Sequence, residues 1–96
     1  MSLAPAIILH SPVIDPPKLD GFVEQCLSEK VNLVAIVGAG CAELEDQIDW
    51  LVIGDGSDPS RFLVTSSHPG ETLDDVREFA ASWHCDRKGG VQEIRL

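Results

Sequence analysis

Cations are scarce in this chain. Seven Lys and Arg stand against 16 Asp and Glu, a net charge of −9 over 96 residues. A protein that grips a phosphate backbone needs clustered positive charge, so nucleic acid is excluded as a partner. Long apolar runs are missing too, and nothing approaches the roughly 18 residues that a membrane span requires. The start, Met1-Ser2-Leu3-Ala4-Pro5, lacks the charged region and apolar stretch of a secretory signal. Residues 1–4 are read as lying outside the fold, either disordered or left over from cloning. Cysteine is limited to Cys26, Cys41 and Cys85, an odd number at unrelated spacings with no CxxC. That excludes a disulfide framework, and reduced thiols in a cytosolic protein are expected. What remains, 44% hydrophobic and 24% charged residues, is close to globular averages and excludes wholesale disorder. The length suits one domain, spanning 1–96.

The residues present alternate between strand and helix signals. Residues 5–10 are a short apolar run suited to a strand buried on both faces, ended by Ser11-Pro12. Asp15 is placed to cap a helix over 17–30, with Leu19, Phe22, Val23, Cys26 and Leu27 at helical spacing. Residues 31–37 are the strongest strand signal, β-branched, almost wholly apolar and stopped by Gly38-Ala39-Gly40. A second helix carries Leu44, Ile48, Leu51 and Val52 and stops at Gly54; residues 50–53 also suit a strand, and the helix is preferred. A polar loop follows, then a third strand over 61–66. His68-Pro69-Gly70-Glu71 suits a type II turn. Thr72 and Asp75 mark the start of a third helix with Leu73, Val76, Phe79, Ala80 and Trp83 on its stripe. The alternation of residues 91–96 suits an edge strand.

The order β-α-β-α-β-α-β implies an α/β fold, a three-layer α/β/α sandwich on a four-stranded, mostly parallel sheet. A flavodoxin-like strand order, 2-1-3-4, is expected, with the first helix on one face and the other two opposite. One helix alone would leave its face underfilled, and a homodimer contact is expected there.

Thr65-Ser66-Ser67-His68, followed by Glu71, Leu73, Val76 and Phe79-Ala80, resembles a pattern found in small bacterial proteins of unknown function. The resemblance covers about fifteen residues of the third strand, its turn and the third helix. It implies a bacterial α/β domain and carries no activity with it.

Ligands of open parallel sheets bind at the carboxyl ends of the strands. Those ends carry His10, Cys41 and His68, and the type II turn would bring Glu71 to within about 7 Å of His68, Cα to Cα. Two chemistries use such a set. Cys41, at a helix N-terminus, would be the nucleophile of a Cys–His pair with Glu71 orienting the imidazole. Alternatively His10, Cys41 and His68 would hold a metal with an acid, although no local ligand spacing announces it. The bland reading is that polar residues gather where strands leave the core, and that His68 with Glu71 pins a turn. Gly38-Ala39-Gly40 lacks the third glycine of a dinucleotide fingerprint, Glu43 standing in its place, and reads as a tight turn. No cofactor is implied.

Between Glu43 and Glu78 ten acids face only Arg61 and Arg77. Either this is a solvated surface, or Glu43, Glu45, Asp46 and Asp49 form a docking face for a basic protein. Asp55 and Asp58 lack calcium-loop spacing. Trp50 and Trp83 read as packing residues, and His84-Cys85 as surface. A receiver-like switch is set aside, because the strand ends carry histidine and glycine rather than acids. The expectation is a small regulatory or partner-binding module without catalysis, homodimeric and engaging a basic protein. The alternative is a small Cys/His enzyme or metal binder.

Overall fold

A computed structural model describes residues 3–54, 56, 63–82 and 90–96. The elements are β1 (Ala6–Ser11), α1 (Pro17–Ser28), β2 (Leu33–Gly38), α2 (Cys41–Ile53), β3 (Val64–His68), α3 (Leu73–Ala81) and β4 (Val91–Arg95). Expectations about Asp55, Asp58, Arg61, Trp83, His84 and Cys85 fall outside the described residues. Every strand pairing is parallel, so the α/β architecture stands. The order is β3-β2-β1-β4, not 2-1-3-4.

Apolarity explains that order. Ile7, Ile8 and Leu9 of β1 and Leu33, Val34, Ala35 and Ile36 of β2 are fully buried. Burying each large side chain contributes about 1.5–3 kcal/mol, which favours placing both strands centrally. β3 (VTSSH) and β4 (VQEIR) are too polar for that position and take the edges. The flavodoxin-like order would have buried Thr65, Ser66 and Ser67 and exposed a flank of β2.

Strand order also sets the layers. The β1-to-β2 and β2-to-β3 connections step the same way across the sheet, so right-handed crossovers put α1 and α2 on one face. The step from β3 to β4 runs back past both central strands, which puts α3 on the other. The core divides accordingly: Ile7, Leu9, Val34 and Ile36 pack with α1 and α2, while Ala6, Ile8, Leu33, Ala35 and Val37 pack with Val76 and Ala80 of α3. The expected pairing of the second and third helices is therefore wrong. So is the bare face: the apolar central-strand residues on the α3 side, Ala6, Ile8, Leu33, Ala35 and Val37, are at most 7% exposed. The flanking edge positions there are Val64, Ser66 and His68 of β3 and Val91, Glu93 and Arg95 of β4, of which the two valines are half-buried and pack against the α3 core. The reason given for a homodimer contact is thus absent among the described residues.

Local corrections have local causes. α1 begins after Pro16 with no side-chain cap. Asp15 contributes its carbonyl, accepting from Lys18 N at 3.0 Å, rather than its carboxylate. α1 ends at Ser28 because Lys30 adopts a left-handed conformation (φ 57). Val31 N then donates to Cys26 O (2.9 Å) and Lys30 N to Leu27 O (3.3 Å), a Schellman closure made without glycine. Residues 50–53 are helical, with Gly54 N donating to Trp50 O. β3 runs through His68 rather than ending at Ser66. The turn beyond it is closed by Glu71 N donating to His68 O (3.3 Å), with Gly70 at φ 75 as type II geometry requires. Thr72 caps α3 by accepting from Asp75 N at 3.2 Å. Leu3, expected outside the fold, is 8% exposed and joins the α1/α2 core, its N–H donating to Glu29.

Candidate functional site

The sheet register settles which strand-end residues meet. His10 of β1, Val37 of β2 and His68 of β3 lie in one row. All three point to the α3 side, because each lies two residues beyond a member of that layer (Ile8, Ala35 and Ser66). Two strand spacings, about 10 Å, separate the backbones of the two histidines, with Val37 between them. Each ring has its own partners. His68 is 6% exposed. A carboxylate only accepts, so Nδ1 donates to Glu71 Oε2 (2.8 Å), while Nε2 is hydrogen-bonded to Ser66 Oγ (2.9 Å). Phe79 of α3 packs against the ring at a centroid distance of 4.8 Å. His10 Nε2 donates to Glu93 Oε1 (3.1 Å). Glu93 Oε2 accepts from Arg77 Nε (3.0 Å) and from Arg77 Nη2, and Arg77 also reaches Asp74 (3.6 Å). The hydrogen bonds from Arg77, and then from His10, hold the Glu93 carboxyl below the usual carboxylate range. The same contact with Glu93 raises Arg77.

Cys41 is elsewhere. It starts α2, is 2% exposed, and is packed in the α1/α2 core on the opposite face of the sheet from both histidines. A Cys41–His68 nucleophilic pair is therefore not assembled, and neither is a metal site from His10, Cys41 and His68. Among the described residues no group of three His, Cys, Asp or Glu could hold a metal ion. Ser66, His68 and Glu71 do form a chain in the order hydroxyl, imidazole, carboxylate. Ser66 sits inside an extended strand rather than on the sharp exposed turn that presents a nucleophilic serine. The arrangement satisfies a buried imidazole and ties β3 to its turn. Cys26 is inert for another reason: burial, with a smaller contribution from Glu29, pushes its thiol up to about 12.

Gly38-Ala39-Gly40 is a close-packed turn. Gly38 has φ 109, and a Cβ there would collide with the Ser11 carbonyl. Ser11 Oγ donates to Ala39 O across the same gap (2.5 Å).

The four α2 acids do not act together. Glu45 and Asp49 turn back to β3, where the Thr65 hydroxyl lies 3.1 Å from Glu45 Oε2 and 2.7 Å from Asp49 Oδ1. Glu43 and Asp46 are exposed on the outer ridge of the helix, followed at helical spacing by Trp50 and Ile53. Trp50, expected to pack, is 72% exposed, and Ile53 is 51% exposed. Helical geometry carried that signal: two residues past buried Ile48 is 200° round the cylinder. Beneath the ridge lies a cleft of about 390 Å³ between α1 and α2, lined by Pro16, Leu19, Asp20, Gln47, Trp50 and Leu51. It adjoins a second cleft of about 290 Å³ at the strand ends, which shares Pro16, Leu19 and Gln47 and adds Ser11, Gly40 and Glu43. Ile14, on the loop from β1 to α1, is 87% exposed.

No helix among the described residues is long and apolar enough to cross a membrane. No curated protein and no solved structure matches the chain. A family model described as a domain of unknown function (DUF7684) matches residues 2–93, extending the likeness from the third strand and third helix to almost the whole sequence. The chain belongs to that family.

Proposed function

We propose that this protein is a binding module that docks a protein partner on the outer face of α1 and α2 and carries out no chemistry of its own. The observation that carries this reading is Trp50, a 72% exposed indole at the mouth of an apolar cleft. An indole in this state leaves roughly 150 Å² in water, and covering it would contribute about 3–4 kcal/mol to an association. Aromatic anchors beside a concave apolar surface are the usual centre of a protein interface. The catalytic alternative loses its nucleophile, since Cys41 and the imidazoles lie on opposite faces of the sheet.

The test is a ¹⁵N NMR titration of the whole chain with a neutral amphipathic helical peptide. Shifts confined to Leu19, Gln47, Trp50 and Leu51, including the Trp50 indole N–H, are expected. No shift at millimolar peptide, or shifts gathered round His10 and His68, would refute the reading.

A further inference from the structure

Resting on that docking surface, we propose that its occupant is a basic amphipathic helix of about three turns. Its apolar residues would seat in the α1/α2 cleft against Trp50, and its lysines or arginines would lie over Asp20, Glu43 and Asp46. The outer ridge of α2 divides along its axis, with Glu43 and Asp46 in the N-terminal half and Trp50 and Ile53 in the C-terminal half. From Glu43 to Ile53 the ridge spans about 15 Å, the length of some ten helical residues. A complementary segment therefore carries its apolar anchor at one end and its cations at the other.

Charge selects the partner. Among the described residues no Lys, Arg or His lines either cleft, while Asp20 lines one and Glu43 the other. Lys18, the cation of α1, is paired with Asp15 at 3.8 Å. Glu45 and Asp49 are engaged by Thr65, so the attraction falls to the exposed acids. A second copy of the chain fits poorly, because each copy carries a net charge of −9 and would bring a second set of acids to the same contact. The exposed face of Trp50 also accepts a cation.

The experiment uses the whole chain and three designed helical peptides that share one apolar anchor at one end and carry Lys, Gln or Glu at the other. At 50 mM NaCl the Lys peptide is expected to bind about tenfold more tightly than the Gln peptide, and the Glu peptide more weakly than both. That preference should shrink to about twofold in 0.5 M NaCl. The double variant Glu43→Lys/Asp46→Lys should reverse the order. Asp74→Lys/Asp75→Lys on α3 makes the same change in net charge and should leave affinity within about twofold, which separates a local field from the overall charge. Trp50→Ala should abolish binding of the Lys and Gln peptides.

Equal binding of Lys and Gln peptides, with shifts at Leu19, Trp50 and Leu51, would overturn the basic partner while leaving the docking surface intact. Absence of shifts there with any peptide would overturn both. Self-association with shifts at the same residues would make a second copy the occupant and overturn the proposal. Equal loss of affinity in the α2 and α3 charge variants would overturn it as well. Every substituted position is exposed, and far-UV circular dichroism checks that each variant folds.

Discussion

Gly38→Ala should destabilise this protein severely, and the structure supplies both contributions. At φ 109 the backbone lies beyond the left-handed region that other residues visit, which costs about 1–3 kcal/mol. The new Cβ would also meet the Ser11 carbonyl, a main-chain atom in the partner position across the β1–β2 ladder. A flexible side chain could swing away; here one of the two central strands must shift, and such overpacking costs about 1–3 kcal/mol more. The sum, about 2–6 kcal/mol, rivals the entire stability of a chain this size, about 5–15 kcal/mol. With about 4–8 °C of Tm per kcal/mol, the melting temperature should fall by at least about 8 °C. Gly21→Ala is the internal control. Gly21 lies within α1, and a Cβ there meets nothing within 4 Å. That variant should gain about 0.5–1 kcal/mol from helix propensity. Urea unfolding followed by circular dichroism, with the slopes held equal, measures both. A Gly38→Ala midpoint matching the wild type to within about 0.5 kcal/mol would refute the close approach of β1 and β2.

Three further outcomes follow from the same geometry. Glu93 is held below its ordinary range when folded, so its contribution to stability is present above the unfolded carboxylate pKa and lost as pH falls through the lowered value. The stability gap between wild type and Glu93→Gln should therefore be open at pH 7 and shrink as pH falls below the ordinary carboxylate range; an unchanged gap in acid would contradict this. Cys26 stays neutral in the fold up to about 12 against an ordinary 9.0, so unfolding exposes a more acidic thiol and stability should decline above about pH 9. Cys26→Ala should flatten that decline, and native Cys26 should escape iodoacetamide at pH 8 until urea is added; prompt native labelling would disprove its burial. His68→Ala removes a buried ring with two side-chain hydrogen bonds and should cost about 2–4 kcal/mol, against less than about 1 kcal/mol for the more exposed His10→Ala. Equal losses would mean that the Ser66–His68–Glu71 chain does not hold β3 to its turn.

Much of the fold is legible residue by residue. The β-branched run before Gly38, the Leu44–Ile48–Val52 stripe, the Pro69-Gly70 turn and the Thr72 cap each carry their structure in local chemistry. The end of α1 was hidden because Lys30, not glycine, takes the left-handed position. Composition also tells central from edge strands, against the flavodoxin-like expectation: wholly apolar β2 belongs in the middle, and Thr65-Ser66-Ser67 at an edge. For the candidate site, the hydrogen bond from His68 to Glu71 follows from turn geometry within four residues. The exposure of Trp50 follows from its angle to Ile48.

Local chemistry thus determined where strands and helices form, which strands could tolerate burial on both faces, and that the surface would be anionic. Tertiary structure alone decided what those elements bring together. The direction in which each crossover steps across the sheet is written in no single segment, yet it places α2 and Cys41 on one side and α3 with both imidazoles on the other. The same choice sets α1 beside α2 and opens the cleft under Trp50, because two helices on one face of a twisted sheet leave a groove that neither sequence contains.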